Sequence, residues 1–209
     1  KVRELKLKNM EVHTYHSFAV KYYSDMAHTD TGIRHMLRDN KCPRRALEMV
    51  DLVVLDEAQD MTPLYFELIV KMSKDMCSKD NTNNKKGDHK FHLLVLGDYM
   101  QGLYEFKGAD IRFLTKADVI WNELPFLENN VFKPCVLKTS YRVTNQMAEF
   151  VNKDMLGDDR LLACREGTQV VYIRRPKFQI ENIVVYQIKR LLSEGESPSD
   201  IFVLGSSVK

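Results

Sequence analysis

No apolar run in this 209-residue chain approaches the roughly 18 residues that a membrane-spanning helix needs, and no signal-peptide pattern opens it. Cysteine is scarce and scattered. Cys42, Cys77, Cys135 and Cys164 form no C-x-x-C pair and have no histidine at ligand spacing, which argues against a zinc site or a disulfide framework. The expectation is reduced, partly buried thiols in an intracellular protein of the cytoplasm or nucleus. An excess of charge of either sign is also missing. With a net charge of +2 and a pI near 8.3, any nucleic-acid contact has to come from a local patch and not from a whole-chain field. An initiator Met is lacking at Lys1, from which a processed or partial chain is expected.

What is present is a hydrophobic content of 44%, enough for a sizeable core and far from the composition of disordered chains. "MEVHTY" (10–15) reads as a short strand and "HSFAVKYYSDMA" as a helix, with Phe18, Tyr22 and Met26 on one side. "LVVL" (52–55) is too short for a helix and reads as a strand covered on both faces, as in a parallel sheet. Thr62 and Pro63 start a helix, with Leu64, Leu68 and Met72 on its apolar stripe. Residues 78–90 contain no hydrophobic side chain and read as a mobile surface insertion, after which "FHLLVL" (91–96) is a second buried strand.

Further on, "PCVLK" (134–138), "QVVYI" (169–173) and "DIFVLGS" read as strands. "VTNQMAEFVNKDML" reads as a helix capped by Thr144 and ended by Gly157, and "FQIENIVVYQIKRLLSEG" as a strongly periodic one. Strands alternating with helices predict an α/β fold with mainly parallel sheet.

In such sheets ligands gather beyond the carboxyl ends of the strands, where Asp56, Glu57, Asp98 and Gln101 would converge. Adjacent carboxylates at a strand end can divide labour, one holding a hydrated Mg²⁺ on a nucleotide and the other taking a proton from water. A bare "DE" is more often a solvated strand end. Here it has company: "TYHSFA" (14–19), "VVLDEAQD" (53–60), "LLVLGDYMQGLYEFKGAD" (93–110) and "LKTSYRVTNQMAEFVN" (137–152) occur in that order. Together they resemble motifs Ib, II, III and IV of the superfamily 1 helicases of the UvrD/Rep group, whose patterns include TFHSF, DExQD and GDxxQxIYxFRGA.

The resemblance implies a P-loop NTPase (RecA-like) parallel sheet flanked by helices, incomplete, with a partial first motor domain at 1–157 and the start of a second at 158–209. It implies ATP and Mg²⁺ as cofactors. Asp56 would hold the metal, Glu57 would activate the hydrolytic water, and Gln101 and Arg142 would reach the γ-phosphate. It implies a single-stranded or partly duplex DNA partner, met by Thr14 and His16 along the backbone and by Tyr104, Phe106 and Lys107, which combine stacking faces with a cation. This copy departs from the pattern, which often has Trp at Phe106 and Arg at Lys107. Structural alternatives stand beside each role: Thr14 and His16 as helix-start residues, Tyr104 or Phe106 as core, Gln101 as a turn residue, Arg142 as half of a surface ion pair. Trp121 reads as packing and not as a base platform.

The phosphate cradle G-x-x-x-x-G-K-[ST] occurs nowhere in the chain. The expectation is therefore part of an ATP-driven DNA translocase, with 3′-to-5′ polarity implied by resemblance, this piece being inactive by itself. The alternative is a non-hydrolysing nucleic-acid-binding remnant, and a two-metal nuclease is a distant third.

Overall fold

The computed structural model describes residues 9–77, 90–122, 124, 126–128 and 131–205; the expected surface insertion at 78–90 lies, but for Lys90, outside them. The chain divides into two compact units, Lys1–Pro134 and Cys135–Lys209. Residues 135–157, assigned from sequence to the first domain, fall in the second unit.

In the first unit the chain from Met10 to His13 is irregular and not the expected strand, and Thr14 caps helix α1 (Tyr15–Tyr22). The Thr14 hydroxyl accepts from Ser17 N while Ser17 Oγ accepts from Thr14 N, a reciprocal box that satisfies two orphan donors. A 3₁₀ turn, Asp25–His28, leads into α2 (Asp30–Arg38), capped by Thr29. Strand β1 (Leu52–Leu55) then crosses through α3 (Pro63–Cys77) to β2 (His92–Val95). Thr62 and Pro63 open α3 as expected, and Leu64, Leu68 and Met72 are buried on its inner stripe.

β1 and β2 are parallel, with Leu52 opposite His92 and Leu55 opposite Val95. Phe91 continues the pairing outward by exchanging backbone bonds with Phe126 and Glu128. The expectation of a sheet covered on both faces is corrected here. Leu55 is buried, but Leu52 is 51%, Val54 48% and Leu94 44% exposed, so alternate residues face the helices and the others open outward. The core gathers Tyr22, Tyr23, Ile33, Met36, Leu68 and Phe91. Trp121 is fully buried against Phe66, and its indole N–H donates to Phe113 O at 2.8 Å, so it is a packing residue as the sequence predicts.

The second unit holds a minimal parallel pair, β3 (Thr139–Ser140) with β4 (Leu162–Ala163). Between them runs α6 (Asn145–Glu149), capped by Thr144, which widens into a π-helical stretch, Phe150–Leu156, and ends at Gly157 with φ 67°. Two short helices, α4 (Arg112–Thr115) and α5 (Ala117–Ile120), close the first unit, and α7 (Lys177–Ser193) completes the second. The expected strands at 134–138, 169–173 and after Asp200 are irregular backbone, with Leu137, Tyr172 and Phe202 exposed. All four cysteines are free thiols; Cys42, Cys135 and Cys164 are exposed, against the expectation of partial burial that Cys77 alone meets. No helix among the described residues is long and apolar enough to cross a membrane.

Candidate functional site

Because β1 and β2 run parallel and in register, the residues that follow them leave the sheet at one edge: Asp56 and Glu57 after Leu55, Gly97 and Asp98 after Val95 and Leu96. Two backbone bonds seal the juncture, Leu96 N to Leu55 O at 2.8 Å and Ala58 N to Leu96 O at 2.9 Å.

At that edge Glu57 has φ 52° and ψ 43°, the left-handed region that a side chain with a Cβ rarely occupies. The twist turns the chain sharply out of the strand into a 3₁₀ turn, Ala58–Asp60, and leaves Asp56 and Glu57 exposed while burying Ala58 and Gln59. One Asp56 oxygen, Oδ1, accepts the Glu57 N–H at 3.1 Å. The Asp56 carboxylate is also felt by Tyr15, whose hydroxyl is pushed up to about 12, first by burial, then by Tyr65 and Asp56.

Gln59 is 3% exposed and spans both strand ends. Its Oε1 accepts from Asp98 N at 3.1 Å and its Nε2 donates to Glu57 Oε2 at 2.6 Å. A backbone N–H can only donate, so the amide's orientation is fixed by that partner. Gly97 lies so close that a Cβ there would stand 2.5 Å from Gln59 Oε1. Asp98 then caps the next turn, Tyr99–Gln101: its Oδ1 accepts from Met100 N at 3.0 Å and its Oδ2 from Gln101 Nε2 at 2.9 Å. Glu57, Gln59, Asp98 and Gln101 therefore form one hydrogen-bonded line across the edge. Gln59 was absent from the sequence candidates; the only signal for it was its place in the "DEAQD" string.

The aromatic group lies on the following turn, Glu105–Lys107. Tyr104 and Phe106 are 6.2 Å apart, Phe106 is 79% exposed, and Lys107 Nζ stands 4.9 Å from the Tyr104 ring centre and 5.6 Å from that of Phe106. Both rings are thus surface groups and not core.

Thr14 and His16 are placed differently. The Thr14 hydroxyl is the α1 cap, and His16 Nε2 lies 3.0 Å from Asp30 Oδ1, with its ring edge-on to Tyr65 at 5.9 Å. Tyr65 donates to the same Asp30 oxygen at 3.0 Å and stacks on Tyr15 at 4.4 Å, tying α1, α2 and α3 together. Burial and that bond to Asp30 push the Tyr65 hydroxyl up to about 12.

Arg142 belongs to the second unit. It is exposed, its N–H donates to Ser140 Oγ at 3.3 Å, and its carbonyl accepts from the Arg165 guanidinium.

As to a metal, no group of three or more His, Cys, Asp or Glu among the described residues could hold an ion. Mg²⁺ keeps most of its waters and is bound through one or two carboxylates and substrate phosphates. Asp56, exposed and with only Oδ1 occupied by its own turn, offers such a carboxylate.

Acidic residues and a glutamine thus stand at the carboxyl edge of a parallel-stranded α/β unit, the edge at which open α/β sheets bind ligands. Residues 23–119 match the family model of the UvrD/REP helicase N-terminal domain, which supports a UvrD-like superfamily 1 helicase fragment. The matched stretch includes Asp56, Glu57, Gln59, Asp98, Gln101 and Tyr104 to Lys107; Thr14, His16 and Arg142 lie outside it. No curated protein matches the chain.

Proposed function

We propose that this chain is part of an ATP-dependent DNA helicase or translocase that couples hydrolysis to movement on single-stranded DNA, with 3′-to-5′ polarity, built on incomplete RecA-like domains. The observation that carries the reading is the parallel register of β1 and β2, which delivers "DEAQD" and "GDYMQ" to one edge within the stretch that matches a helicase family model.

In this reading Asp56 would hold Mg²⁺, which would supply positive charge against that of the phosphates. Glu57 accepts the proton of the attacking water. Gln101 reads the γ-phosphate through its amide, and by resemblance alone Arg142 supplies fixed guanidinium charge. The adjacent turn carries Tyr104, Phe106 and Lys107, a pair of exposed rings and a cation suited to stacked bases and a phosphate. Roles for Thr14 and His16 on the DNA backbone rest on resemblance alone, since both are engaged within the fold. This reading requires a phosphate cradle, and these 209 residues contain none.

The test is Glu57→Gln in the full-length protein. A positioned general base contributes about 10²- to 10⁴-fold, so DNA-stimulated turnover should fall by that range while ATP and DNA still bind. Near-normal turnover would remove the assignment. Full-length protein that binds DNA and never hydrolyses ATP, with or without the substitution, would favour the remnant reading.

A further inference from the structure

Gln59 is too deeply buried to touch a nucleotide, yet both ends of its amide are used on the two segments that form the site. We infer that Gln59 is a positioning residue: its amide clamps the Glu57 carboxylate to the Gly97–Gln101 turn, so that the proton acceptor and the γ-phosphate reader are held in one register. This rests on the roles proposed above for Glu57 and Gln101.

Left-handed backbone at Glu57 aims the side chain out of the strand, but a glutamate retains rotatable bonds beyond its Cβ, and backbone alone does not hold the carboxylate. Gln59 Nε2 removes that freedom by occupying Oε2, which leaves Oε1 for the proton of water. At its other end the acceptor is a main-chain N–H of the turn, so the clamp is fastened to backbone and not to a second mobile side chain. The same Asp98 whose N–H is held by Gln59 receives the Gln101 amide on its carboxylate. Any displacement of the turn, as when Gln101 exchanges Asp98 for a phosphate, is therefore transmitted to Glu57 through one rigid amide. Gly97 completes the device: only a residue without a Cβ lets Gln59 Oε1 lie against that stretch of backbone.

The experiment is steady-state, DNA-stimulated ATP hydrolysis by the full-length protein, comparing wild type, Gln59→Met, Glu57→Gln and the double variant, with Gln59→Asn as the milder change. Met fills the space without polar atoms; Asn keeps the amide but is one methylene too short to span both bonds. Misplacing a catalytic group by about 1 Å is worth on the order of 10²-fold, so Gln59→Met should lower kcat about 10- to 100-fold with KM for ATP within about twofold. Gln59→Asn should fall between it and wild type. In the Glu57→Gln background Gln59→Met should add no further loss, because its effect passes through the missing carboxylate.

A kcat within about twofold of wild type for both Gln59 variants overturns the inference, and so does a loss that multiplies undiminished in the double variant, the mark of general structural damage. If Gln59→Met fails to fold, Gln59→Asn decides by the same criteria. Failure of the underlying reading looks different: Glu57→Gln itself retains turnover, and the clamp then has no base to hold.

Discussion

Gly97→Ala converts the close packing at the strand edge into a measurable quantity. The new methyl would stand 2.5 Å from Gln59 Oε1, 2.9 Å from Leu114 Cδ2 and 3.2 Å from Ala58 N. Relief to ordinary contact requires the Gln59 oxygen to move by roughly 0.9 Å or more, enough to break its 3.1 Å bond with Asp98 N. Overpacking of this kind costs about 1–3 kcal/mol, and the lost buried bond about 1 kcal/mol more. Replacing glycine also restricts the unfolded chain, which returns about 0.4–1 kcal/mol. The net expectation is destabilisation of about 2 kcal/mol, read as a drop of about 1 M in the urea midpoint by circular dichroism. Turnover should fall with it, since Gln59 is the group displaced. Gly102→Ala is the control. There the nearest atom is the Ile111 Cδ1 tip at 3.2 Å, a flexible apolar end that can yield, so the change should stay within about 0.5 kcal/mol. A Gly97→Ala protein as stable and as active as wild type would refute the packing argument.

Other perturbations probe other layers. Trp121→Phe loses the indole bond to Phe113 O and part of a fully buried ring, so about 2 kcal/mol should vanish from the urea unfolding free energy with DNA affinity unchanged; the reverse result would make Trp121 a base platform. Phe106→Ala should weaken single-stranded oligonucleotide binding by about 1–3 kcal/mol in fluorescence anisotropy without altering stability, and unchanged affinity would remove the stacking role. Glu11, bonded first by Lys21 and then by His13 and Tyr22, has its carboxyl lowered from 4.5 to about 2. Because the folded value lies below the unfolded one, its contribution is fully present above about pH 4.5 and disappears as pH falls through about 2. The side chain is half exposed, so screening reduces the contribution to about 1 kcal/mol. Glu11→Gln should flatten that part of the stability profile, and an unchanged slope would show that the bonds carry no stability.

The elements that sequence predicted well are those whose signals are local. α3 announced itself through Thr62, Pro63 and a four-residue apolar spacing, α6 through Thr144 and Gly157, and each needs only its own stretch of chain to be recognised. β1 and β2 were legible because both runs end in charge. The apolar stretches around Val136, Val171 and Phe202 have the same composition but find no ladder partner among the described residues, and composition alone does not supply one. At the site, the residue types at the strand ends could be read, but not the bonds between them. Nothing in the spacing of "DEAQD" tells that Glu57 is left-handed, that Gln59 turns inward, or that His16 is taken up by Asp30.

The left-handed turn at Glu57 also sets two kinds of fitness against each other. That conformation costs a residue with a Cβ on the order of 1 kcal/mol, while glycine or asparagine occupies it more easily. A library screened only for folded protein would therefore drift at this one position toward small residues, enriching proteins that fold well and have lost the carboxylate. In the proposed reading, the glutamate at position 57 places its carboxylate at the strand edge at the expense of stability.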